Sequence, residues 1–248
     1  MLSFMSGLLI LFILLPLIRT IISPAPQFIG KAIADKEVIQ AILNSMFLAI
    51  LSAVIAGIFG VPLAYILARK RFWGKPIIET IVDIPLAIPH TIVGIALLSV
   101  FGENAFCGSI LHNFGLNFVG TRIAIVTAMV FVSLPCMVNS AKDGFETINE
   151  RLEKVARTLG ASPFEVFRRI SLPLARRSIL TGLSLTWARS ISEFGAVVVV
   201  AYYPMTAPVK IWELFTTTTL KAAAGASALL LIVCLTIFGI FRLLAYKK

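Results

Sequence analysis

Arg189 and Glu193 stand four residues apart in the run T-W-A-R-S-I-S-E-F-G-A, opposite charges one helical turn from each other in an otherwise apolar stretch. A charge inside hydrocarbon costs several kcal/mol, on the order of 3 on insertion scales, so such residues face a protein interior or an aqueous cavity. Two chemistries are open to this pair. It can close on itself as an ion pair, or it can line a path for an ion, with Ser190 and Ser192 or Thr186 on the same inward face. His90 and Thr91 add donors in I-V-D-I-P-L-A-I-P-H-T-I-V-G, where Pro85 and Pro89 bend the helix and free backbone carbonyls. His90 and Arg189 each lie about ten residues in from the basic end of their apolar run, roughly 15 Å at helical rise, and so at similar depth. A cationic Arg with a His/Thr donor pair suits an oxyanion in transit. A His that only hydrogen-bonds a neighbouring helix fits the same pattern.

Other chemistry finds little support. His90 and His112 are the only histidines, and no clustered carboxylates or nucleophile constellation accompany them, so neither catalytic residues nor a metal site are expected. Cys107, Cys136 and Cys234 lack metal-ligand spacing. The chain contains no G-x-x-x-x-G-K-[ST], the loop that cradles nucleotide phosphates, so it is expected to bind neither ATP nor another cofactor by itself.

The elements that must hold these residues are set by composition. With 58% hydrophobic and 14% charged residues in 248, and a mean hydropathy of +0.96, the chain needs lipid as its solvent and reads as an all-α integral membrane protein. A crossing takes about 20 apolar residues. Six runs qualify: Leu2–Ile22, Ile39–Ala68, Ile81–Phe101, Arg122–Val138, Ser178–Tyr202 and Ala223–Tyr246. The second exceeds one crossing, so it tilts or begins at the interface. The first lacks the basic n-region and small-residue cleavage site of a signal peptide and is taken as a membrane helix.

The net charge of +10 follows topology rather than nucleic acid, since the basic residues flank apolar runs and no nucleic-acid module accompanies them. Arg69, Lys70, Arg71 and Lys75 follow the second run, and Lys142, Arg151, Lys154, Arg157, Arg168, Arg169, Arg176 and Arg177 follow the fourth, against Arg19, Lys31, Lys36, Arg122, Lys210 and Lys221 on the other side. The positive-inside rule therefore predicts a multi-pass protein of the cell membrane with both termini cytoplasmic.

Between the fourth and fifth runs lies a polar island, E-K-V-A-R-T-L-G-A-S-P-F-E-V-F-R-R-I-S-L-P, Glu153 to Pro173. Leu152, Val155, Ala156 and Leu159 draw an apolar stripe on a short helix, and Gly160 permits the turn that ends it. Ser162, Pro163 and Glu165 then stand at N-cap, N1 and N3 of a second helix, with a capping box. A small residue in the stripe and a rigid bend suit docking into a protein groove; a connector lying on lipid headgroups is the alternative.

The island resembles the cytoplasmic signature loop of ABC-importer permease subunits, E-A-A, three residues, G, nine residues, I-x-L-P. Ala156, Gly160, Ile170, Leu172 and Pro173 occupy the matching positions, while Lys154 and Val155 replace the opening Glu and Ala and Glu153 sits one position early. The run Arg189 to Pro204 and P-H-T-I-V-G-I-A-L-L are similar to permeases for tetrahedral oxyanions, most like those for molybdate/tungstate, with sulfate permeases more distant. The resemblance implies the type I importer (MetI-like) fold: an N-terminal helix and outer loop over 1–36, then a transmembrane domain over 37–246 whose loop 150–174 carries coupling helices. It further implies a homodimer, two ATP-binding cassette ATPase subunits coupled through the loop that contains Glu153, Ala156, Gly160, Ser162, Ile170, Leu172 and Pro173, and an extracytoplasmic oxyanion-binding protein. His90, Thr91, Arg189, Ser190 and Glu193 are the path candidates. The outer loops Gly102–Gly120 and Tyr203–Lys221, with Thr216–Thr219, are the expected docking surface for the binding protein. A secondary transporter or channel using Arg189 and Glu193 as a relay is the rival from another class.

Overall fold

The computed structural model describes residues 2–115 and 117–246, and among these every regular element is helical. In chain order they are α1 (Leu2–Ile22), α2 (Pro26–Ala34), α3 (Lys36–Arg69), α4 (Lys75–Ala87), α5 (His90–Phe101), α6 (Phe106–Asn113) and α7 (Arg122–Glu146). Then come α8 (Glu150–Thr158), α9 (Pro163–Val166), a π-helical turn (Phe167–Ser171), α10 (Leu172–Leu174), α11 (Arg176–Ile191), α12 (Gly195–Val200), α13 (Ala207–Thr217) and α14 (Leu220–Tyr246).

By length and apolarity α1, α3, α7 and α14 can each cross a membrane, and α4 with α5 supplies a fifth crossing if the pair counts as one. Two of the expected spans are corrected. The run 81–101 is not one bent helix: α4 and α5 meet at Ile88–Pro89 with a bend of 115°. Pro89 cannot continue the hydrogen-bond ladder of α4, and it serves as N-cap of α5 instead. The run 178–202 likewise divides into α11 and α12 at Ser192–Phe194, beside the two charges that make it too polar for an uninterrupted apolar helix.

The contacts divide the chain into two compact units. The first comprises residues 1–45 and 204–237. Its α1 is apolar on every side, and none of its span is buried. Asp35 caps α3 by accepting from Glu37 N at 2.9 Å and Val38 N at 3.4 Å. Gly225 lets α14 approach α2, because a Cβ there would lie 2.6 Å from the Phe28 carbonyl oxygen. The stretch 203–221, expected as an outer loop, is mostly the helix α13. Ser45 Oγ accepts from Ala207 N at 2.7 Å to secure its start. Thr216, Thr217 and Thr218 turn their hydroxyls back onto Trp212, Glu213 and Leu214 carbonyls, so they finish a helix rather than solvate a loop. Lys210, counted in the sequence as one more outer charge, is buried between Glu37 and Glu213, with Nζ 2.6 Å from Glu213 Oε2. Burial pulls its ammonium down, and the hydrogen bonds and charges of the two carboxylates more than offset this, raising it above the usual lysine range.

The second unit, residues 46–203 and 238–248, is organised around α7. Ala56, Val61, Ala64 and Leu67 of α3 pack with Met137, Val138, Ala141 and Phe145 of α7. Small residues let backbones close where lipid provides no hydrophobic drive between helices. A Cβ on Gly144 of α7 would fall 2.3 Å from Ser178 Cβ of α11, and one on Gly182 of α11 would lie 3.1 Å from Ser140 Cβ and 3.2 Å from Met137 Cε. Polar pairs fix α4 on α7: Lys142 Nζ bonds Glu79 Oε1, and Asn139 Nδ2 donates to Asp83 Oδ1 at 2.8 Å. The other expected outer loop, 102–120, also contains a helix, α6.

Candidate functional site

The polar island begins with Asn149, whose side chain accepts from Arg151 N at 3.0 Å and so caps α8. The apolar stripe points outward, with Leu152, Val155 and Leu159 exposed and Ala156 half-buried. On the inward side is Glu153, whose carboxylate takes three donors: Arg69 Nε at 2.9 Å and Ser171 Oγ at 2.8 Å on Oε1, and Tyr65 Oη at 3.2 Å on Oε2. Arg69 also donates through Nη2 to the Ile148 carbonyl at 3.0 Å. The Tyr65 ring packs against Phe145 and Phe167, with centroids 5.2 and 4.9 Å away. The end of α3, the end of α7, α8 and the π turn therefore meet at one node. Glu153, grouped in the sequence with the coupling loop, faces the protein's own interior, where Arg69, Tyr65 and Ser171 replace the water a carboxylate would otherwise bind.

Gly160 ends α8 at φ +92°. Gly160 N donates to Arg157 O and Ala161 N to Ala156 O, both at 3.1 Å, which is the Schellman closure of a helix end. Ala156 thus acts through its carbonyl. Ser162 and Glu165 form the expected capping box, with Ser162 N donating to Glu165 Oε2 at 2.9 Å and Glu165 N to Ser162 Oγ at 3.3 Å. The donated backbone and hydroxyl bonds hold the Glu165 carboxyl below the usual glutamate range. Lys154, 3.1 Å from Glu150, lowers that carboxyl too. Phe164 is exposed beside the stripe. After one turn the second helix passes into the π turn that carries Ile170 and buries Ser171. Leu172 packs on the core and Pro173 is exposed at the start of α10.

The second cluster forms where the two helix breaks meet. His90 is the first residue of α5, and Glu193 lies in the gap before α12. Nδ1 of His90 is 2.6 Å from Glu193 Oε2, and Arg189 Nη1 is 3.2 Å from the same oxygen. Arg189 Nη2 lies 2.7 Å from His90 Nε2. The same Nη2 lies 2.8 Å from His90 Nδ1, so the guanidinium nitrogen stands over the imidazole ring, and the Glu193 carboxylate, which only accepts, takes its bond from Nδ1–H. Glu193 Oε1 accepts from Ala196 N at 2.9 Å and thereby starts α12. The close approach needs glycine: a Cβ on Gly195 would sit 2.7 Å from His90 Cβ, and one on Gly94 would sit 2.7 Å from Val199 Cβ. The Glu193 side chain is 1% exposed, that of Arg189 26% and that of His90 38%, so the carboxylate lies behind and the donors in front.

Of the expected path residues, His90, Arg189 and Glu193 come together and Thr91 is exposed next to them. Ser190 does not join them, because its turn of α11 faces α7; it is buried and donates to Ser133 Oγ at 3.0 Å. Thr186 is buried as well. The sequence reading missed Tyr65, Arg69 and Ser171. Arg69 was absorbed into a run of basic residues, and only its place on the last turn of α3 distinguishes it.

Comparisons with known proteins agree with this architecture. Residues 60–247 match the family described as "Binding-protein-dependent transport system inner membrane component". The chain is 44% identical over 245 residues to the molybdate/tungstate transport system permease protein of Pyrococcus abyssi, covering 98% of this chain and 94% of the relative. It is 40% identical over 167 residues to a probable sulfate transport system permease protein of Helicosporidium, covering 67% and 62% of the two chains. Among solved structures, a bacterial alginate ABC transporter in complex with its alginate-bound periplasmic protein contains a chain that superposes with a TM-score of 0.79 at 18% identity, covering 98% of this chain and 93% of that one. The chain belongs to the family of binding-protein-dependent transport system inner membrane components.

Proposed function

We propose that this chain is the permease subunit of an ATP-driven importer that carries a tetrahedral oxyanion, molybdate or tungstate, across the cell membrane. The observation that carries this reading is the 44% identity to a molybdate/tungstate permease over nearly the whole of both chains. Sulfate is the second reading, supported by a relative that matches over a shorter stretch. The chain supplies the membrane path and no catalysis; ATP is hydrolysed on separate subunits.

In this reading six crossings are formed by α1, α3, α4 with α5, α7, α11 with α12, and α14. Both termini and the loop 150–174 lie in the cytoplasm, following the basic residues after α3 and α7. Two copies enclose the path. The exposed Leu152, Val155, Leu159 and Phe164 give each of two ATPase subunits an apolar face to receive, the helix-in-groove mode of recognition. Closure of the ATPases draws the two loops together and opens the path outward to a binding protein that delivers the ion; hydrolysis returns it inward. His90, Arg189 and Glu193 line the path at the helix breaks, where irregular backbone in a membrane protein is tolerated beside a cavity.

Reconstitution in vesicles tests this. Uptake of tungstate should require the ATPase subunits, ATP and the binding protein, and uptake driven by an ion gradient without them would refute it. Calorimetry of the cognate binding protein with molybdate, tungstate and sulfate decides the substrate.

A further inference from the structure

Glu193 occupies the donors that a passing oxyanion would need, and we propose that its carboxylate is a built-in stand-in for the transported ion: with no ion present it holds Arg189, and an arriving oxyanion takes Arg189 from it. The inference rests on the oxyanion-permease reading and assigns the ion a site on this chain, the guanidinium of Arg189 with His90 beside it.

The three contacts to Glu193 are unequal. His90 Nδ1 and Ala196 N approach at 2.6 and 2.9 Å, whereas Arg189 Nη1 stands at 3.2 Å. Arg189 is therefore the loosest partner, and it is also far more exposed than Glu193. Its departure does not strand the buried carboxylate, which keeps the imidazole N–H and the backbone N–H. A buried anion left without donors would cost several kcal/mol; one that keeps two good donors does not pin Arg189 in place.

The exchange is chemically matched. A carboxylate and a tetrahedral oxyanion are both acceptor-only anions, and a guanidinium binds either through paired N–H bonds. Arg189 has more N–H groups than its contacts with His90 and Glu193 use. With the pair closed its two charges cancel, so the resting site offers an ion no net attraction. With Arg189 turned out, it offers a full positive charge. Competition from Glu193 keeps the ion's stay short, as a conduit requires. The ion's arrival also loosens a bond that ties α11 to α5 at the meeting of the two helix breaks, so occupancy of the site and opening of the break are linked through one side chain.

The test uses the assembled permease–ATPase complex without binding protein, with sodium tungstate as probe and titration calorimetry as readout. Glu193→Gln keeps an oxygen for Ala196 N while removing the competing charge. It should bind tungstate about tenfold more tightly than the native complex, the scale of one charge at contact distance in a partly screened site. Glu193→Gln combined with Arg189→Gln should lose that gain. Equal affinity for the native and Glu193→Gln complexes, or a gain that survives loss of Arg189, overturns the proposal. Should the Glu193→Gln complex fail to assemble, Arg189→Lys serves: it keeps the charge beside Glu193 but not the paired donors, and ATP-driven tungstate uptake should fall about tenfold, the scale of losing a bidentate contact. Unchanged uptake overturns the proposal. Failure of the native complex with binding protein to take up tungstate would instead count against the permease reading itself.

Discussion

Glu153 and Arg69 stand 84 residues apart in the chain and meet as an ion pair at 2.9 Å, with side chains only 12% and 9% exposed. The pair fastens α8 to the last turn of α3, so a push on the outward face of α8 has a stiff route into a long membrane helix.

Removing Arg69 as Arg69→Met should therefore leave Glu153 to Tyr65 and Ser171 alone and cost about 3 kcal/mol of stability, as for one partner of a largely buried pair. The ATPase should still co-purify, because Leu152, Val155, Leu159 and Phe164 are untouched. Oxyanion transported per ATP should fall about tenfold, within the range for residues that carry coupling between sites. Exchanging the charges, Glu153→Arg with Arg69→Glu, should recover part of the loss. Thermal unfolding in detergent and the transport-to-hydrolysis ratio check both numbers.

Gly160 offers a cleaner separation of strain from crowding. A Cβ there would meet nothing within 4 Å, yet its φ is +92°. Gly160→Val should thus cost about 1–2 kcal/mol purely through the backbone, and Gly160→Asn less, since asparagine tolerates positive φ. Hydrolysis should continue while transport falls in Gly160→Val. Transport at the native rate would show that the bend does not transmit motion.

The capping box gives a pH dependence. Glu165 has a lowered folded pKa, so its contribution is present above the unfolded value, about 4.3, and is lost as pH falls through the still lower folded value. Protection of the Ser162 amide against hydrogen exchange, which donates to this carboxylate, should hold at neutral pH and drop in acid, whereas protection of the Glu165 amide rests on the Ser162 hydroxyl. Ser162→Ala should remove it at every pH, at a cost of about 1 kcal/mol.

Gly195→Ala should act on the second cluster without touching a charge. Its new methyl would need the space of His90 Cβ, so α5 and α12 must part and the His90–Glu193 bond lengthen. Overpacking of this kind costs typically about 1–3 kcal/mol. Tungstate uptake should decline while co-purification of the ATPase stays native, because loop 150–174, the proposed docking element, is unchanged.

The sequence was most informative where local rules act alone. Helix ends written in side chains, such as Ser162 with Glu165 or Gly160 after Leu159, need only a few residues of context, and they form as the pattern predicts. The pairing of Arg189 with Glu193 was visible as an i, i+4 spacing. Its third member, His90, lies about a hundred residues away, and the depth count placed it near without showing that both helices break there. Hydropathy recognises apolar length, but Pro89 turns the chain by 115° without changing apolarity much. Glu153 shows the opposite limit: helical periodicity put it off the apolar stripe, which ordinarily means facing water. Only the fold shows that the side away from the stripe is the interior, and that the apolar side is left outward. Lys210 was misjudged for the same reason, as charge alone does not disclose burial between Glu37 and Glu213.

The π turn at Phe167–Ser171 makes this node sensitive to helical winding as well as to chemistry. Residues of an α-helix are spaced about 100° around its axis, and a π turn accommodates one extra residue without ending the helix. Ser171 reaches Glu153 in that shifted phase. Wound as an α-helix with the same residues, this stretch would carry Ser171 roughly 90° further around the axis and swing its hydroxyl away from Glu153. The contact between the serine and the carboxylate therefore depends on how the backbone is wound here as much as on the two side chains.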